Sequence, residues 1–103
     1  GMMAKLDEVK PTIHELKCWP QFFSAVMRGA KTAEWRRDDR DYRVGDYLLL
    51  REWAPKQNPP DLSQGTYTGI VCLVKVTHLL RASLPLGIPD GYVVMSIKVL
   101  DVE

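Results

Sequence analysis

Two stretches in the second half of the chain carry an apolar residue at every second position. In YTGIVCLVKVTHLL (67–80) these are Ile70, Cys72, Val74 and Val76; in YVVMSIKVLDV (92–102) they are Val93, Met95, Ile97 and Val99. A period of two is the signature of strands with one face turned to a core. YLLLREW (47–53) is a third strong strand, and TIHELKCW (12–19), after Pro11, reads as a first one. Residues 31–37 also alternate, with Ala33 and Trp35 on one face and Thr32, Glu34 and Arg36 on the other. The shared face of Ala33 and Trp35 assigns Trp35 to the core.

One segment breaks the strand pattern. WPQFFSAVMRGAKT begins with Pro20, which suits a first helical turn because its missing N–H has no partner there. Phe22, Phe23, Val26 and Met27 then recur at helical spacing, and Gly29 is a natural terminator, so a helix is expected over 19–29. RDDRDYRVGD is a polar connection closed by a Val-Gly-Asp turn, its charges solvated. APKQNPPDLSQGT, with three prolines and a glycine, is a loop with a flexible tip, and RASLPLGIPDG is another loop. One early helix followed mainly by strands gives an α+β domain whose five or six strands curl into a small β-barrel.

Size and composition fit that outcome. The chain has 103 residues, 46% hydrophobic and 26% charged, with a formal net charge of +1. This is the range of one ordinary globular domain, expected over 12–103 after a lead-in of 1–11 whose Gly1 reads as a cloning remnant. No global basic field argues for nucleic acid, so an anion site must be local. Cys18 and Cys72 form no CxxC pair, and no secretory leader is visible, which points to a reduced, cytoplasmic protein. No apolar run nears the roughly 20 residues of a membrane helix.

The densest charge lies between residues 28 and 43. Six bases (Arg28, Lys31, Arg36, Arg37, Arg40, Arg43) stand against four acids (Glu34, Asp38, Asp39, Asp41), a net of +2. Glu34 and Arg36 share a strand face, and Lys31 enters from the turn after the helix. An acid between two bases is satisfied as a solvated pair. The same arrangement in a cleft lets Lys31 and Arg36 hold an anion, since arginine's planar fork matches phosphate or carboxylate. His14 and His78 lack metal-ligand spacing and read as hydrogen-bonded strand histidines; no metal or cofactor is expected. Trp53, ending a strand beside the proline-rich loop, is the best placed of three tryptophans for stacking on a base. No glycine-rich phosphate loop or GxSxG elbow is present.

These residues carry a resemblance. His14-Glu15-Leu16-Lys17, the GAKTAEWR of 29–36, the DRDYRVGD of 39–46, the LLLRE of 48–52 and the DGYVVMSI of 90–97 together resemble an uncharacterised bacterial and phage family in the ASCH branch of the PUA-like superfamily. The resemblance implies a PUA-like β-barrel with the helix beside one opening. It implies a cleft lined by the GxKxxExR segment, here Lys31, Thr32, Glu34 and Arg36, that takes RNA or a nucleotide-like ligand. His14, Lys17, Arg51 and Trp53 are placed near that cleft by the same resemblance. An amidohydrolase-like branch uses a KTxTxR motif; here Glu34 stands at the second threonine, and the segment supplying that branch's distal glutamate is missing from the short 81–91 loop. The reading is therefore a monomeric, non-catalytic module binding RNA or a modified nucleotide. The alternative is an amidohydrolase- or nuclease-type enzyme in which Lys31 acts as base, Thr32 as nucleophile and Glu34 assists.

Overall fold

In the computed structural model, residues 10–57, 59, 61 and 63–100 are described. The lead-in, apart from its last two residues, the innermost part of the proline-rich loop and the tail of the expected last strand lie outside them. The elements are β1 (Ile13–Cys18), α1 (Pro20–Met27), β2 (Ala33–Arg37), β3 (Tyr47–Pro55), β4 (Gly65–Ser83), a 3₁₀ turn at Leu84–Leu86, and β5 (Ile88–Val99). The described residues are mostly β with one α-helix, as the patterning implies. β4 and β5 run further into the 81–91 segment than the sequence suggests, leaving only a short turn between them.

The strands form one sheet of order β1-β3-β4-β5-β2, with β1 parallel to β3 and every other neighbour antiparallel. Its inner face is apolar. Leu16 and Cys18 of β1, Leu48 and Leu50 of β3, Cys72, Val74 and Val76 of β4, and Val93, Met95 and Ile97 of β5 are buried, with Val99 packed against them. α1 closes this face with Phe23 and Val26, and Tyr42 from the β2–β3 connection completes it. Trp19 caps the helix, Pro20 opens it, and Gly29, at φ +76°, turns the chain away.

Four apolar assignments change. Ile70 has the parity of Cys72 but is 54% exposed, because the first turn-side half of β4 runs beyond the core. Phe22 and Met27 flank the helix stripe and stay exposed. Trp35 is 55% exposed, since the β2 face it shares with Ala33 points away from the core. The inward positions of β2 are instead those of Glu34 and Arg36.

The sheet is open. β1 and β2 are its two edges, and among the described residues no backbone ladder joins them, so the expected closure into a barrel is not seen. Side chains cross the gap instead. Arg36 Nη2 donates to the Lys17 carbonyl at 2.8 Å, and Arg40 Nη1 donates to the Glu15 carbonyl at 2.9 Å. These alternate carbonyls on the free edge of β1 receive arginine protons where a neighbouring strand would supply N–H groups.

The β2–β3 connection is less solvated than its composition suggests. Asp46 is 4% exposed and accepts from the backbone N–H of Thr12 and Arg43, both at 3.0 Å, while His14 Nε2 lies 2.8 Å from its Oδ2. Burial works against its charge, but the bonds from His14, Thr12 and Arg43 outweigh that and hold its carboxyl below the ordinary 3.8. A depressed folded pKa stabilises above the unfolded value and is lost as pH falls through the folded one. Asp46→Asn is therefore expected to lower stability by about 1–3 kcal/mol at pH 7 in urea unfolding. Its deficit relative to the parent shrinks as the pH drops below 3.8.

Candidate functional site

The free edge of β2 and the C-terminal end of β1 enclose a cleft of about 390 Å³, within the usual range for small-molecule sites. Its position follows from local geometry. The turn after α1 is held by the N–H groups of Ala30 and Lys31, which both donate to the Ala25 carbonyl at 2.9 and 3.0 Å. This brings Lys31 back toward the inward face of β2, where Glu34 and Arg36 project two residues apart.

Glu34 is the centre of the cleft. Its side chain is 5% exposed, and both oxygens are engaged: Lys31 Nζ pairs with Oε1, and Arg36 Nε donates to Oε2 at 2.7 Å. A carboxylate buried without partners costs several kcal/mol, and two cations remove that cost. Lys31 and Arg36 remain 28% and 26% exposed, so they face both the carboxylate and the open cleft. Two positive charges against one negative leave the cluster net cationic.

Donors are left over. Lys31 gives protons to Glu34 and to the Ala33 carbonyl, leaving one of its three. Arg36 gives Nε to Glu34 and Nη2 to Lys17, and among the described residues its Nη1 has no protein acceptor. No buried side-chain nitrogen or oxygen among the described residues lacks a partner, so the free Nη1 reaches solvent.

The walls are aromatic. Trp19 and Phe22 stack with centroids 6.1 Å apart and planes 21° from parallel on the helix side, and Trp35 borders the strand side. Cys18 lies in the lining; burial, reinforced by the Glu34 charge and opposed by Arg36 and Lys31, pushes its thiol up to about 11. At neutral pH it is a small apolar group rather than a nucleophile.

Of the residues singled out from sequence, Lys17, Lys31, Glu34 and Arg36 meet in this cleft. Thr32 is exposed and outside its lining, with its carbonyl accepting from Ile97 N–H. His14 is buried against Asp46 and stands edge-on to Tyr42 at 4.7 Å, bordering a different depression. Arg51 lies 3.9 Å from the ring centroid of Tyr67, outside the cleft lining. Trp53 is 4% exposed, its ring pressed on Gly65 and covered by Lys17 Nζ at 4.1 Å, which leaves no open face for a base. His78 is exposed on β4. Sequence reasoning passed over Phe22 and Trp35 by giving them to the core, and Cys18 by treating it as packing alone. Their nearness in sequence to Lys17, Lys31 and Glu34 was the available signal. Among the described residues no three His, Cys, Asp or Glu side chains gather as metal ligands, and no helix is long and apolar enough to cross a membrane.

Two outcomes follow from the geometry. Glu34→Ala strips both cations of their acceptor and should cost about 2–3 kcal/mol in urea unfolding. That is less than a fully buried pair, because Lys31 and Arg36 can turn to water. Cys18 should resist a thiol-specific disulfide reagent at pH 7.5 in the native state and react at the ordinary rate only in denaturant.

Comparison with known proteins adds the following. Residues 13–97, which carry all of the cleft residues, match a family described as a domain of unknown function, DUF3850. An uncharacterised 12.9 kDa protein in the GpA 3′ region of Escherichia phage P2 is 38% identical over 82 residues, 80% of this chain. The chain spans 61% of that relative's length.

Proposed function

This chain belongs to the DUF3850 family, and we propose that its Glu34 cleft binds a nucleotide unit, free or modified or within RNA, without catalysing its turnover. The observation that carries this reading is the buried Glu34 with a cation on each oxygen, set between aromatic walls. Glu34 holds Lys31 and Arg36, and both line the cleft with donors to spare. There a phosphate gains charge-assisted bonds from a lysine and a planar guanidinium already held in place. A base lying against the exposed faces of Trp19, Phe22 or Trp35 would add about 1–3 kcal/mol by stacking, with little dependence on its identity.

The same features weigh against the enzymatic alternative. Thr32 lies outside the cleft lining, Lys31 is occupied by Glu34, and the Cys18 thiol is held protonated. A general base needs its lone pair within reach of the nucleophile, and Thr32 is not among the residues lining the cleft that Lys31 enters. We also read the fold as a PUA-like member of the ASCH branch, opened along one seam. The motif series from His14 to Glu52 and the helix beside the seam support this reading. Two free buried cysteines support a reducing, cytoplasmic setting.

Tryptophan fluorescence on titration with uridine and adenosine monophosphates tests the proposal. Saturable quenching is expected, weakening with added salt, with affinity lowered about tenfold or more in Arg36→Ala. Equal quenching in the parent and in the Lys31→Ala/Arg36→Ala double variant, or none in either, would overturn it.

A further inference from the structure

The cleft does not end at Arg36. That side chain also borders a second depression of about 220 Å³ along the gap between β1 and β2, floored by Leu16 and Tyr42. Arg40 lines this depression and also a third, of about 570 Å³, in which Lys10, Arg43 and Lys75 stand near the buried His14–Asp46 pair. Three concavities therefore adjoin in sequence along β1, with one guanidinium at each junction. Both of these arginines reach across the gap to alternate β1 carbonyls. The six residues of β1 span roughly 17 Å at about 3.3 Å per residue, more than one nucleotide unit covers.

Resting on the nucleotide reading above, we infer that the seam is a track for a single-stranded polynucleotide. One base sits in the aromatic cleft, and the adjoining phosphates run past Arg36 and Arg40 toward Lys10, Arg43 and Lys75. Charge favours this. Asp39 and Asp41 also border the track, but Asp41 is paired with Arg43 at 3.1 Å, and Asp46 is committed to His14 and two backbone amides. With Arg43 set against Asp41, the bases Lys10, Arg36, Arg37, Arg40 and Lys75 still outnumber Asp39 along the seam. Arg40 spends one proton on the Glu15 carbonyl and keeps others for a phosphate. Among the described residues, the tyrosines along the rest of the seam are Tyr42, buried in its floor, and Tyr47, half-buried at its far end, so sequence preference is expected mainly for the base in the cleft. Recognition beyond it is of the backbone.

Labelled uridine oligonucleotides of one to eight units, and the matching deoxythymidine series, test this by fluorescence anisotropy at several salt concentrations. Affinity should rise with length over the first few units. The salt slope should steepen by about 0.7 for each phosphate added to the track. Arg40→Ala should weaken the longer oligonucleotides about tenfold and flatten their salt slope, while leaving uridine monophosphate binding unchanged. Arg40→Lys should recover part of the slope, and thermal melting of both variants confirms that the seam is intact. Equal strength in the deoxy series assigns the track to the phosphodiester backbone, and weaker binding there adds a ribose contact. If monophosphate binds but length adds no affinity, or if Arg40→Ala weakens mono- and oligonucleotides alike, the track is overturned and the cleft stands. If monophosphate itself fails to bind, the cleft reading falls first.

Discussion

The architecture turns on two sheet edges that face each other without a ladder. A free edge leaves N–H and C=O groups without partners and invites other strands. Here β1 offers the Glu15 and Lys17 carbonyls, and Arg40 and Arg36 reach over to take them. An arginine can bridge such a gap only if its charge is acceptable there. For Arg36 that condition is met by Glu34, which is inward on the same strand and bonded to its Nε. Lys31 then balances the second carboxylate oxygen. The seam and the cationic cleft are thus one arrangement. The groups that span the open sheet are those left holding spare protons at its surface.

Hydrogen bonds at the other end of the seam serve the fold more than a ligand. Asp46 gathers two backbone amides and His14 beneath the β2–β3 connection, and Tyr42 packs edge-on to that histidine. Arg81 ties the same connection to β4 through Asp38 at 2.9 Å and through the Tyr42 carbonyl. A loop that looks like solvated charge is therefore fastened at several points, which keeps Arg40 in position over β1.

Much of this was legible in the sequence where a local rule governs. Strand parity placed Cys72, Val74, Val76, Val93, Met95 and Ile97 inward, and the same rule put Glu34 and Arg36 on one face. Parity names a face but does not say whether anything covers it, and so Ile70 and Trp35 were misassigned. Trp53 shows the reverse: the end of a strand looked open, yet Gly65 and Lys17 close over its ring. The seam itself was not readable. Arg36 and Arg40 meet carbonyls 19 and 25 residues away, and nothing local encodes that choice. Asp46 was hidden for a similar reason, since His14 lies 32 residues from it. Thr32 shares the parity of Glu34, but it precedes the first residue of β2 and does not reach the cleft.

On the proposed reading, Glu34 presents Lys31 and Arg36 as one ready anion site between aromatic walls. Two-dimensional ¹H–¹⁵N correlation spectra during a uridine monophosphate titration examine it most directly. The Arg36 Nε–H and the Trp19 and Trp35 indole N–H resonances are expected to shift together along one saturating curve, while the buried Trp53 indole stays still. Shifts confined to other surfaces, or a Trp53 response without Arg36, would contradict it.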